Sequence, residues 1–259
     1  MAVDSRLEPT SVRLEIRGQI AIVTLARPAK RNAIDDATIH ALDAIFSAPP
    51  SDVRAFVLAG DGDHFCAGLD LSEHRERTPH GAFEHSRAWH RTFEKIATGG
   101  LPVVAALQGA VVGGGLEIAA ATHVRVADAS TFFALPEGQR GIFVGGGGSV
   151  RIARLIGAGR MAEMMLTGRR YDASAGLTLG LAHELVAPGA TLTRALELAE
   201  GIAANAPLSN FAIVTALERI AAMAPNEGFF TESLVAAFVQ GTDDARERMS
   251  AFLDRGSTS

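Results

Sequence analysis

Apolar and charged positions alternate cleanly near the start of the chain. Residues 12–17, VRLEIR, put the two kinds of side chain on opposite faces of an extended segment, which predicts a half-buried strand. Gly18–Gln19 supplies a turn, and IAIVTLA (20–26) reads as the second strand of a hairpin. RPAKRNA breaks the pattern, and IDDATIHALDAIFSA (34–48) predicts an amphipathic helix that PPSD ends. VRAFVLAG (53–60) is apolar apart from Arg54, as a buried strand should be. GDGDHFCAGLD (60–70) reads as a loop, and the polar stretch 72–98 as one or two helices. VVAALQ (103–108), HVRVAD (123–128) and HELVA (183–187) are further strands, alternating with helical segments. That alternation predicts an α/β fold with parallel pairing. From about residue 190 the strands stop, and three successive helical stretches fill the remainder. A mixed core over 1–190 followed by a helical region over 191–259 is the expected organisation, without internal repeats or a low-complexity linker.

Composition narrows the class. The 259 residues are 47% hydrophobic and 20% charged, ordinary for a water-soluble globular chain long enough to bury a large core. Net charge is −5 with both signs interspersed, and no Lys/Arg run has the density of a phosphate-binding patch, which argues against nucleic acid as the main partner. The single cysteine, Cys66, cannot form an internal disulfide, in keeping with a reducing compartment. MAVDSRLEPT lacks the apolar stretch of a signal peptide, and no uninterrupted 18-residue apolar run exists. The expected location is the cytoplasm, with no membrane partner.

Against this background three loops stand out. FCAGLD (65–70) follows a strand; Gly113–Gly115 opens an alanine-rich helix; LPEGQRGIFVGGGG (135–148) carries Glu137 into a second glycine-rich bend. Glycine inside an element costs stability, so three in a row imply either close packing or a ligand lying on bare peptide groups. Glu117, on the first turn of that helix, is the only charged residue between Lys95 and Arg125. A helix N-terminus offers unpaired N–H groups to a negative oxygen, and a second N–H from the 65–70 loop would complete an oxyanion hole.

Competing assignments are weaker. Cys66 has no histidine partner signalled, so it reads as a small packing residue. His74, His80, His85 and His90 are spaced by six, five and five residues, unlike the i, i+4 pairs of a helical metal site, and no metal is expected. GGGGS (145–149) lacks the lysine of a phosphate-binding loop, and Arg151 stands where a nucleophile elbow needs glycine.

QGAVVGGGLEIAAATHV and HFCAGLDL resemble the two signature segments of the crotonase (enoyl-CoA hydratase/isomerase) superfamily. RPAKRNAI is similar to its early Arg-Pro…Asn-Ala motif, and LPEGQRGIFVGGGGSVRI to the segment bearing its second glutamate, so the resemblance spans essentially the whole chain. It implies a spiral of ββα units with a C-terminal helical trimerisation region. It implies that the backbone N–H groups of Leu69 and Gly114 bind the thioester carbonyl of an acyl-CoA, with Glu117 and Glu137 as catalytic residues. Lys30, Arg31, Ala67, Asp70, Leu71, Ser72, Gly113 and Pro136 correspond to positions lining the substrate and CoA site. Thr122-His123 and Phe143-Val144 depart from the Cys-Asp and Ile-Pro of many hydratases.

Two glutamates suit hydration of a conjugated enoyl thioester: the N–H pair stabilises an enolate-like oxygen, while two carboxyls sharing one proton orient water and protonate the α-carbon. The expected function is therefore an enoyl-CoA hydratase, a lyase needing no cofactor beyond the coenzyme A of its substrate. Rivals are an isomerase, an acyl-CoA hydrolase or a carbon–carbon lyase of the same superfamily, and a non-catalytic acyl-CoA- or RNA-binding member, the last opposed by the charge. Apolar residues at helical spacing in the tail (Phe211, Ile213, Val214, Leu217, Ile220) suggest a homotrimer or a hexamer built as a dimer of trimers.

Overall fold

The computed structural model describes residues 11–73 and 78–256, so His74 and the segment MAVDSRLEPT lie outside the described residues. Strands β1 (Val12–Arg17) and β2 (Ile20–Leu25) form the expected antiparallel hairpin, with Gly18 in the left-handed region that its turn requires. Strand β2 then pairs in parallel with β3 (Ala55–Gly60), which pairs with β4 (Val103–Leu107). The sheet continues in parallel through β6 (Val124–Asp128) to β9 (Glu184–Val186), in the order β1-β2-β3-β4-β6-β9.

Every residue of β3 and β4 is buried, which explains why those segments are apolar throughout. Their side chains still sort by the two-residue period of a strand. Phe56, Leu58, Ala105 and Leu107 join the larger core, while Ala55, Val57, Val104 and Ala106 face the other way. Ala195 and Ala199 of helix α7 (Thr191–Ala203) cover that second face. Thus the helical stretch expected over 191–259 divides: α7 packs on the sheet, and only the three helices after it extend beyond. These are α8 (Pro207–Ala221), α9 (Pro225–Gln240) and α10 (Asp243–Gly256), the first two opening on a proline whose missing N–H costs a first turn nothing.

The larger core lies between the sheet and helices α1 (Asp36–Ser47) and α2 (Pro79–Thr98). Asp35 caps α1 by accepting from Thr38 N at 2.7 Å and Thr38 Oγ1 at 2.6 Å; Thr78 caps α2 by accepting from Gly81 N. The stretch 72–98 therefore resolves into one 20-residue helix preceded by a short turn at Leu71–Glu73. A second, three-stranded sheet was not expected: β5 (Ala110–Val112), β7 (Phe132–Ala134) and β8 (Arg170–Asp172), in the order β5-β7-β8. These three short segments lie among glycines and loop residues that mask any two-residue period, so only pairing partners reveal them. Between them run helices α3 (Gly114–Ala119), α4 (Gly148–Ile156) and α5 (Ala158–Thr167), and α6 (Ala173–Leu179) follows β8. Mixed strand–helix units followed by helices match the expected crotonase-like architecture.

Two histidines tie the parallel sheet together. His123 Nδ1 accepts from Val103 N and His183 Nδ1 accepts from Arg125 N, each at 3.0 Å. An accepting ring nitrogen carries no proton, and burial together with the nearby Arg125 charge pushes both pKa values down. A depressed histidine pKa contributes stability that is complete above the unfolded value, about 6.5, and is lost as pH falls below it. Urea midpoints are expected to decline between pH 7.5 and 5.5, with a shallower decline in His183→Asn. An equal decline in that variant would show that His183 carries none of it.

Candidate active site

Strand β5 leads into the triple glycine. Cys66 N donates to Ala110 O at 2.9 Å and Val112 N to Cys66 O at 3.0 Å, so the 65–70 loop lies alongside β5. The loop's other edge is held by Ile34, whose N–H donates to Gly68 O and whose carbonyl accepts from Asp70 N. Leu69 N, between those two bonds, has no acceptor among the described residues; neither does Gly114 N, at the first position of α3. A Cβ built on Gly114 would stand 3.5 Å from Leu69 N, which sets the two amides side by side. The glycines have different reasons. A Cβ on Gly115 would run into the Cys66 backbone, which is close packing; one on Gly113 would come within 2.8 Å of Glu137 Oε1, which is the site. Cys66 itself is fully buried and its thiol pKa is pushed up to about 12, consistent with a packing residue.

The glutamates meet in one cleft of about 600 Å³. Glu117 is 3% exposed, and its Oε1 accepts from Gly146 N and Gly148 N, each at 2.8 Å. Burial raises its pKa against the pull of these amides and of the Arg151 charge. Glu137, 6% exposed, sits just before the turn Gly138–Arg140, and its Oε2 is buried without a hydrogen-bond partner among the described residues. Burial, aided by the neighbouring Glu117 charge, pushes its pKa up to about 7. Two carboxyl groups in one cleft thus have unlike surroundings, Glu117 Oε1 taking two loop amides and Glu137 keeping one oxygen without a partner among the described residues, and such a difference is what separates acid from base.

Helix α2 supplies the opposite wall through Ala82, His85, Ser86 and Trp89, and Ile142, Phe143 and Val144 close the far side. Of the twelve residues singled out in the sequence, Leu69, Leu71, Gly113, Gly114, Glu117 and Glu137 line the cleft. Lys30, Arg31, Ala67, Asp70, Ser72 and Pro136 do not. Lys30 and Arg31 are exposed beside the loop, with Lys30 Nζ donating to Ser72 Oγ at 3.3 Å, and Arg31 O accepting from Ala67 N. Pro136 is half-buried next to Glu137.

Asp70 spends its carboxylate inside the protein. It accepts from Ser72 N and Ser72 Oγ through Oδ1, and from Arg27 through Oδ2 at 2.8 Å. These bonds hold its pKa down at about 2, so it staples the 65–70 loop. Sequence reasoning missed the amides of Gly146 and Gly148, although the glycine run advertised them; a wall from the 72–98 stretch was expected, and packing settles which face of α2 forms it. Of the two departures from the family pattern, Phe143-Val144 lies in the cleft wall, whereas His123 is the structural histidine described above.

The sequence profile described as Enoyl-CoA hydratase/isomerase matches residues 15–259. The chain is 34% identical to enoyl-CoA hydratase EchA19 of Mycobacterium tuberculosis, with 93% of each chain covered. It is 31% identical to the short-chain-enoyl-CoA hydratase of Clostridium acetobutylicum, covering 96% of this chain and 97% of that one. A solved crystal structure from Rhodopseudomonas palustris superposes with a TM-score of 0.94 at 50% identity, over 97% of both chains. The enoyl-CoA hydratase of Bacillus anthracis superposes at 0.88 with 28% identity, over 95% of this chain and 96% of that one.

Proposed function

The chain belongs to the enoyl-CoA hydratase/isomerase family, and from that premise we propose that it is an enoyl-CoA hydratase converting a 2-trans-enoyl-CoA to the 3-hydroxyacyl-CoA. The observation that carries this reading is the pair of buried carboxyls in unlike environments within one cleft. In the proposed mechanism the thioester carbonyl rests on Leu69 N–H and Gly114 N–H, which gain most as negative charge builds on its oxygen. Glu117, whose ionised form its two amide donors favour against the burial that raises its pKa, takes a proton from water as the water oxygen bonds to the β-carbon. Glu137, protonated near neutral pH, gives its proton to the α-carbon. Glu117 ends protonated and Glu137 ionised, and exchange with solvent restores both. The balance is redox-neutral, so the reading calls for no cofactor besides the coenzyme A of the substrate. Lys30, Arg31 and Ser72, exposed beside the loop, are proposed to meet the nucleotide part.

Screening 2-enoyl-CoA thioesters for loss of conjugated-enoyl absorbance, with identification of the product, tests the reaction. A 3-hydroxyacyl-CoA supports hydration; a shifted double bond, free coenzyme A or a shortened acyl chain replaces it with isomerase, hydrolase or lyase chemistry. The apolar surface of α9, where Phe229, Phe230, Leu234 and Phe238 are each more than half exposed, supports association as a trimer or dimer of trimers. Sedimentation as a 27.1 kDa monomer would remove that part of the proposal. Among the described residues no helix is long and apolar enough to cross a membrane.

A further inference from the structure

Behind the loop that carries Glu117's two donors lies an arginine that the proposed reaction does not use. Arg151, on α4, is only 12% exposed, and its NH2 meets Glu94 Oε2 of α2 at 2.7 Å. Its NH1 donates to Gly146 O at 3.3 Å, on the same residue whose N–H donates to Glu117. Gly147, between the two donor residues, has a φ of +98°, and a Cβ there would come within 2.5 Å of Arg151 NH1. The bend is therefore shaped to the guanidinium: a side chain at 147 would displace the arginine, and the left-handed backbone would resist it. The chain of contacts runs Glu94, Arg151, Gly146 carbonyl, Gly146 amide, Glu117.

We propose that Arg151, backed by Glu94, is a positioning residue that pins the Gly146 carbonyl so that the Gly146 and Gly148 amides stay on Glu117 Oε1. Its consequence for turnover rests on the assignment of Glu117 as the base. Arg151 acts in two ways that can be separated. Its fork fixes the loop, and its charge favours the ionised form of Glu117. The other charged groups near Glu117 are Glu137 and Arg140, with His85 on the α2 wall; around Arg151 they are Glu94, His90 and Arg87. Changing Arg151 leaves the groups nearest Glu117 in place, but frees Glu94 of its partner and removes from His90 a charge that helps hold its pKa down.

Arg151→Met is expected to lower kcat roughly 10- to 100-fold with KM nearly unchanged, as lost outer-shell support does elsewhere. Losing the positive charge and loosening the donors both raise the Glu117 pKa, so the acid limb of the pH–rate profile moves to higher pH. Arg151→Lys keeps a charge but not the planar fork, so the limb should move less than in Arg151→Met while kcat remains low. Glu94→Gln should give a smaller loss in the native background and none on top of Arg151→Met. Amide hydrogen exchange reads the clamp without turnover: Gly146 and Gly148 should exchange faster in Arg151→Met. Unchanged exchange at both amides overturns the proposal, as does a fall in kcat that only tracks the folded fraction while the acid limb stays in place. Should Glu117→Gln keep normal hydration while Arg151→Met still speeds exchange, the assignment of Glu117 fails and the clamp stands.

Discussion

Glutamine in place of Glu117 or Glu137 is expected to lower hydration of a 2-enoyl-CoA by about 10²- to 10⁴-fold, the usual worth of a positioned acid or base. Binding of a saturated acyl-CoA should survive, because the proposed thioester contacts are backbone groups of Leu69 and Gly114. The two losses should not add: once either carboxyl is gone the water is misplaced, and removing the second costs little more. The native profile should fall at low pH as Glu117 protonates and at high pH as Glu137 loses its proton, with apparent values belonging to the pair. Because the Glu117 charge helps raise the Glu137 pKa, Glu117→Gln should shift the alkaline limb of the residual activity to lower pH. Hydration near the native rate in either variant would sink the two-carboxyl mechanism. The same burial has a stability cost. A carboxyl whose folded pKa is raised to about 7 weakens the fold as pH climbs from the ordinary carboxyl range to that value. Glu137→Gln escapes this and should melt higher than the native protein at pH 8.

The second large effect is expected at Gly114. Proline there removes one of the two N–H donors, and loss of one oxyanion donor typically costs about 10²- to 10³-fold in kcat, roughly 3 to 4 kcal/mol. The first position of a helix tolerates proline, so α3 should still form. Sterics complicate the comparison, since a Cβ on Gly114 would come within 2.7 Å of Trp89 Cζ3 and 3.0 Å of Cη2. Gly114→Ala therefore shares the crowding but keeps the donor. Trp89→Phe should relieve the crowding, and at no loss of a hydrogen bond, because Trp89 Nε1 has no partner among the described residues. In that background Gly114→Ala should recover and Gly114→Pro should not. A proline variant that recovers alongside alanine would show that Gly114 N–H is not an oxyanion donor.

How much of this was legible before folding differs from one feature to the next. The hairpin, the apolar runs of β3 and β4 and the span of α1 follow from local pattern, because a strand covered on both faces and a capped amphipathic helix each leave a mark on their own residues. Four collinear motifs were enough to place the chain in its family and to pick out Glu117 and Glu137. The short strands of the second sheet left no mark, since β5, β7 and β8 exist only by virtue of their partners, whereas the equally short β9 was legible in HELVA. The role of α7 was equally hidden, because its alanines read as any helix face until a sheet is laid against them.

Within the site, the sequence by itself determined which side chains carry charge and where glycine lets peptide groups be approached. Tertiary structure alone decided what each group became. Glu117 acquires two amide donors from residues 29 and 31 positions away, and Glu137 acquires burial that leaves its Oε2 without a partner among the described residues. Asp70 illustrates the opposite outcome: an acidic residue at a binding-loop position whose acceptors are consumed by Arg27 and Ser72. The physical reason is common to all three. A carboxyl's proton affinity is set by the dipoles, charges and water around it, and those come from segments that only the folded chain brings together.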